Sequence, residues 1–223
     1  MPSIFRYFDR EEFAAALIEG GQLRLQTLAN FRRYEDANVR RDENDGRLRY
    51  QPAGGLPINF EGRPPEVWAD WRFTSSVREE DIYAYCMSTE RSEALTDRFE
   101  SPFCVEITDP VVFVRRIHRA VRLRSRLERK CVHHGPVDYR DVEAVPAADW
   151  ALPEKVGRIK PPDWAWQREY RVLVGKKGAF DPENVRLTLE RGPQPAPPAG
   201  AVPDPPLSVR LGNCSNGMRL HRF

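Results

Sequence analysis

A chain of 223 residues, 40% hydrophobic and 30% charged, carries enough apolar material for one folded domain of generous size. No run approaches the roughly 18 to 20 apolar residues that cross a bilayer, and MPSIFRYFDREEF lacks a basic segment followed by an apolar core. Neither a membrane partner nor a signal peptide is therefore expected, and the reading is cytoplasmic residence, or delivery by a route without a cleaved signal. The net charge of +2 excludes little, and Cys86, Cys104, Cys131 and Cys214 have no Cys-x-x-Cys spacing, which argues against a disulfide framework or a zinc site.

In chain order, SIFRYF reads as a strand and DREEFAAALIEGG as a helix, with Asp9 as N-cap, Glu12 in the reciprocal capping position and Gly20-Gly21 as its stop. Phe13, Ala14 and Leu17 form its apolar stripe. QLRLQT alternates as a second strand, and LANFRRYED reads as a short helix. Dense mixed charge around EDANVRRDENDGRLR is the composition of a solvated, mobile loop over residues 35–50. Residues 52–76 are rich in Pro, Gly and Trp and show no clear period.

DIYAYCMS (81–88) reads as the central strand and PFCVEI (102–107) as another, while DPVVFVRRIHRAVRLRSRL (109–127) reads as a long helix opened by Asp109-Pro110. KCVHHGPVDYRD is a strand broken at Gly135-Pro136. The strands PDWAWQREYRVLVG (162–175) and VRLTLE (185–190) precede a Pro-rich surface segment at 192–206. LSVRLG and GMRLHRF then read as a terminal hairpin around NCSN. This order predicts an α+β fold, with residues 1–223 as one domain.

Within PDWAWQREYRVLVG, alternation sends Tyr170, Val172 and Val174 to one side and Gln167, Glu169 and Arg171 to the other. Ionised groups are rarely buried without partners, so a carboxylate and a guanidinium on a half-buried strand need a reason. One reason is structural, an ion pair between Glu169 and Arg171 or a neighbouring arginine. The other is a site. Arg6 stands in the middle of the first strand between Phe5 and Tyr7, and Ser88-Thr89 ends the central strand, where a hydroxyl can face a cleft.

Arg6, then Ser88-Thr89, then Gln167-x-Glu169, in that order, resembles the ADP-ribosyltransferase superfamily, and within it the class whose signature is Arg, Ser and Glu. FRYFDREEFAAALIEGGQLRL is similar in layout to the unit that walls the NAD cleft there, and the resemblance runs over roughly residues 4–175. It implies split, mostly antiparallel β-sheets around an NAD cleft, with NAD as the substrate; no metal is expected, because the residues themselves show no conventional ligand set. Glu169 would be the catalytic carboxylate facing an oxocarbenium-like ribose. Gln167 would orient the acceptor or the ribose, and Gln-x-Glu goes in that family with acceptors other than arginine.

By the same resemblance Arg6 would hold the NAD phosphates or ribose, Ser88 and Thr89 would orient Glu169, and Tyr7, Tyr83 or Tyr85 would stack on nicotinamide. The activity implied is cleavage of the nicotinamide–ribose bond and transfer of ADP-ribose to RNA, DNA or protein, as in a toxin or defence effector with an antitoxin or immunity partner. NAD hydrolysis is the variant with water as acceptor. Glu90 stands where the family often has a second serine, and KPPDWAW replaces its acceptor-binding turn. GPVDY (135–139) and WQREYR (166–171) are similar to a Gly-x-Val-x-Tyr and Trp-x-x-Glu-x-Arg pattern of an uncharacterised bacterial family.

Other constellations compete less well. His133 and His134 are adjacent, so on a strand they face opposite sides, and His118 adds no ligand spacing. Cys131 and His133 share a face but have no third partner. No Gly-rich phosphate loop is present. The segment RRIHRAVRLRSRLERK is the main rival: Arg115, Arg119, Arg122 and Arg126 head a basic block that fits nucleic acid, either as the acceptor or as the whole function of a noncatalytic binding protein. Its plain alternative is a solvated helix face whose Val112, Phe113, Ile117 and Val121 pack on the sheet.

Overall fold

The computed structural model describes residues 2–33, 45–130, 132–141, 143–192 and 205–223. Its strands are β1 (Ile4–Phe8), β2 (Gln22–Thr27), β3 (Arg47–Tyr50), β4 (Leu56–Ile58), β5 (Glu66–Trp68), β6 (Trp71–Ser76), β7 (Ile82–Ser88), β8 (Phe103–Ile107), β9 (His133–Pro136), β10 (Asp138–Tyr139), β11 (Ile159–Lys160), β12 (Glu169–Gly175), β13 (Arg186–Arg191), β14 (Leu207–Arg210) and β15 (Met218–Arg222). The α-helices are α1 (Glu11–Gly20), α2 (Leu28–Arg33), α3 (Glu93–Phe99), α4 (Pro110–Arg122) and α5 (Pro153–Val156). The class is α+β, and apart from the short parallel pair β10–β11 the strand pairs are antiparallel.

The main sheet runs β14-β2-β7-β1-β8-β15, with β12 and β9 joined to the free edge of β7. One face is lined by the apolar alternates Leu23, Leu25, Tyr85, Met87, Val105, Tyr170 and Val172, and α1 and α4 cover it with Ala14, Leu17, Phe113, Ile117 and Val121. The opposite face meets α2 and the smaller sheet β13-β6-β3 around Leu28, Leu48, Ile82, Leu173 and Trp150. β7 is sandwiched on both edges and both faces, which is why its sequence is the most continuously apolar.

Five expectations are corrected. Helix α1 is capped by Arg10 without a side-chain bond, not by Asp9, and Phe13 is 47% exposed, its ring set against Arg10 instead of the core. Gly21 does end the helix, at φ +58°, and a Cβ there would come within 2.3 Å of the Gly212 carbonyl oxygen. Helix α4 begins as expected, with Asp109 accepting from the Val112 N–H, but stops at Arg122, so Arg126 lies in the turn that follows.

The terminal hairpin does not form. β14 pairs with β2 and β15 with β8, at opposite ends of the sheet, because Val209 and Met218 each complete the same core from a different edge. The connection passes the end of α1, where Leu211 N–H donates to Gly21 and Cys214 N–H to Ile18. The charged loop expected over 35–50 is also revised. Residues 34–44 lie outside the described residues, but Asp45 is fully buried and residues 47–50 form β3. Most of the proline-rich segment, 193–204, likewise lies outside them.

Candidate active site at the fork of the sheet

β12 pairs with β7 along its whole length, from Glu169 opposite Ser88 to Gly175 opposite Ile82. The other edge of β7 is shared. β2 takes its first half, at Tyr83 and Ala84, and β1 takes its end, at Ser88 opposite Phe5. Among the described residues no strand pairs with Tyr85, Cys86 or Met87 on that side, so the sheet forks there. Arg6 fills the gap, its Nη1 donating to the Cys86 carbonyl at 2.5 Å while the guanidinium lies 5.1 Å from the Tyr85 ring centre. A backbone acceptor left without a strand partner is thereby satisfied. Arg6 Nε, also buried, has no partner.

A cleft opens at this fork, with a cavity volume of about 130 Å³, below the roughly 300–1,000 Å³ usual for enclosed small-molecule sites. Phe5, Tyr7, Phe31 and Phe99 supply apolar wall, and Arg6, Arg24, Lys160, Arg171 and Glu169 also line the cleft. Cross-strand partners share a face, so Glu169, Ser88 and Phe5 stand in one row across β12, β7 and β1.

Glu169 is buried, and the ion pair expected with Arg171 is present. Its Oε1 accepts from Arg171 Nε at 2.6 Å and its Oε2 lies 3.0 Å from Lys160 Nζ. Arg171, wholly buried, spends its remaining donors on Asp45 (Nη1–Oδ1 2.5 Å, Nη2–Oδ2 2.9 Å) and on the Gly157 carbonyl at 2.9 Å. Two cations and two carboxylates thus alternate as Lys160, Glu169, Arg171, Asp45. Burial raises the pKa of the Glu169 carboxyl, but Arg171 and then Lys160 outweigh it and hold it well below the usual carboxylate range. Cys86 is pushed up, by burial first and by Glu169 second, so it stays a thiol.

Gln167 is not on the strand with Glu169. It ends a 3-10 helix (Pro162–Gln167), and Arg168 between them is left-handed at φ +47°, which breaks the alternation. Its amide still reaches the site, with Lys160 Nζ donating to Oε1 at 3.1 Å. Ser88 lines the cleft but does not bond Glu169; its hydroxyl donates to the Gln167 carbonyl at 3.0 Å and accepts from Glu90 N–H, so it fixes the bend before Glu169. Thr89 is exposed, off the cleft lining, and donates to the Arg168 carbonyl.

Tyr7 faces the cleft beside Phe99, its hydroxyl tied to Glu90 and Ser92 and its pKa pushed up to about 12 by burial. Tyr85 borders the fork but packs chiefly in the core, and Tyr83 packs against that core. His133 and His134 face opposite ways as alternation requires, one on Phe180 and the other on the Tyr170 hydroxyl. Among the described residues no cluster of His, Cys, Asp and Glu could hold a metal, and no helix is long and apolar enough to cross a membrane.

Lys160, Asp45 and Tyr139 were not identified from sequence. Tyr139, whose hydroxyl accepts from the Glu169 N–H at 2.9 Å, stands in the GPVDY motif, which was the available signal. Lys160 and Asp45 have no local signal, since their roles come from partners distant in the chain. Comparison with protein-family models, with curated proteins and with solved structures gives no match.

Proposed function

We propose that the fork binds NAD and that the protein is an ADP-ribosyltransferase-like enzyme, with Glu169 as the carboxylate at the reacting ribose. The observation that carries this reading is the meeting of Arg6, Ser88 and Glu169, far apart in sequence, on three neighbouring strands around one cleft. Arg6 and Arg24, cleft-lining cations outside the balanced Lys160–Glu169–Arg171–Asp45 network, suit a pyrophosphate, and the buried, unpartnered Nε of Arg6 suits an anionic oxygen. The aromatic wall suits a flat ring.

In this reaction the acceptor forms a bond to the ribose anomeric carbon as the bond to nicotinamide breaks. The bond electrons leave with nicotinamide, which becomes neutral, and the acceptor loses a proton. Glu169 stays ionised throughout and favours the positive charge that develops on the ribose. Gln167, fixed through Lys160, orients the acceptor or the ribose. RNA, DNA and protein are the acceptor classes, water gives NAD hydrolysis, and the setting implied is a toxin or defence effector with an antitoxin or immunity partner.

The test is nicotinamide release from NAD by wild type and Glu169→Gln, each checked for folding by circular dichroism. Loss of one preorganised electrostatic group predicts a fall of about 10²-fold or more. Near wild-type release by the folded variant overturns the assignment. Free ADP-ribose as product identifies water as the acceptor.

A further inference from the structure

Helix α4 commits Phe113, Val114, Ile117 and Val121 to the core, which turns its opposite side to solvent. Arg115, Arg119 and Arg122 occupy that side at spacings of four and three, and all are exposed. Arg126 in the next turn, Arg129 and Lys130 are exposed as well. Folding adds a cation from elsewhere in the chain: Lys177, exposed, donates its backbone N–H to the Arg126 carbonyl at 3.2 Å.

These charges are not spent on the fold. The block's structural arginines are Arg116, which donates to the Asn213 carbonyl at 2.6 Å, and Arg124, which donates to that of Ser208. Between Pro110 and Lys130 the acidic residue is Glu128, and its carboxylate accepts the backbone N–H groups of Arg129 and Lys130. Among the described residues no ion pair engages Arg115, Arg119, Arg122, Arg126 or Lys177. Closely spaced cations without countercharge repel one another, and a polyanion relieves that repulsion.

The surroundings select among polyanions. A membrane-surface helix inserts its apolar side into lipid, but that side of α4 is buried in the core. Single strands are held largely by stacking on aromatic side chains, and the aromatic residue of 110–130 is Phe113, which is buried. A duplex presents a dense line of phosphates and needs neither. We infer that the outer face of α4, continued by Arg126 and Lys177, docks a nucleic-acid duplex through its phosphate backbone, without reading base sequence.

This surface lies across the sheet from the cleft, because α4 packs on the face of Tyr85 and Val172 whereas Glu169 and Ser88 occupy the other. A duplex held there is not delivered to Glu169, so binding and NAD chemistry are separable. The test is fluorescence anisotropy with a short DNA duplex, the matching single strand, phosphatidylserine vesicles and poly-glutamate. Wild type is compared with two fourfold variants at Arg115, Arg119, Arg122 and Arg126, all four changed to Gln or all four to Lys.

Four phosphate contacts give a slope of log affinity against log salt near −3.6, a fall of about 150-fold between 50 and 200 mM salt. The Gln variant should lose most of that slope and most of the affinity, the Lys variant should keep both, and nicotinamide release should be unchanged in each. Wild type without salt-dependent duplex binding, a Gln variant that binds as wild type does, or binding to single strands, vesicles or poly-glutamate as tight as to duplex would overturn the inference. If the Gln variant does not fold, the salt slope and ligand preference of wild type decide alone.

Discussion

Asp45→Asn probes the charge network directly. Asp45 is fully buried and grips Arg171 with both oxygens, at 2.5 and 2.9 Å. Asparagine keeps one acceptor and turns an amide donor toward a guanidinium nitrogen that is itself a donor. Arg171 cannot shed its charge, so it stays buried with Glu169 as its remaining carboxylate, one already shared with Lys160. Breaking one partner of a buried pair costs about 3–5 kcal/mol. For a chain of this size each kcal/mol moves the melting temperature by about 2–4 °C, which gives a drop of about 6–20 °C. Thermal unfolding followed by circular dichroism at neutral pH reads it. A shift under about 2 °C would mean that Asp45 does not hold Arg171, and the reasoning for the whole network would fail with it.

Two further outcomes follow from the same geometry. Because the folded pKa of Glu169 is depressed, the unfolded chain binds the proton first as pH falls; the stabilisation is complete above the unfolded glutamate value of about 4.3 and is lost as pH drops below it. Urea unfolding of wild type should therefore weaken between about pH 5 and pH 3 by more than that of Glu169→Gln, and parallel curves for the two would remove the effect from Glu169. Arg6→Ala should weaken NAD binding about 10- to 100-fold, the value of a charge-assisted hydrogen bond, and unchanged affinity by calorimetry would take Arg6 out of the site.

Much of the architecture could be read along the chain because alternation and punctuation are local signals. Ile82–Ser88 alternates between two buried faces and has no breaker, and Gly21 marks the end of α1 by a backbone angle that other residues resist. The partners of Glu169 could be read only in part. Arg171 lies two residues away on the same strand face and was visible, whereas Asp45 sits in a run that reads as solvated charge and is drawn inward by a cation 126 residues away. The terminal strands misled for a related reason. Their spacing favours a hairpin, but two open sheet edges and a shared core compete for them and win.

The ion pairs of Glu169 do not by themselves decide between a structural and a catalytic carboxylate. A carboxylate whose only task is to neutralise Arg171 would be redundant, since Asp45 already grips that guanidinium with both oxygens behind the cleft wall. Glu169 differs from Asp45 in lining the cleft, which Arg6 also lines, and in sharing its row with Ser88. Its second cation, Lys160, also holds Gln167, so the two members of the Gln-x-Glu pair are tied to one ammonium although the left-handed Arg168 separates them. That arrangement keeps the carboxylate ionised beside an open space. Asp45→Asn and Glu169→Gln should therefore differ in nicotinamide release: both lower stability, because each takes a carboxylate from buried cations, but on the proposed function Glu169→Gln alone removes the group at the ribose.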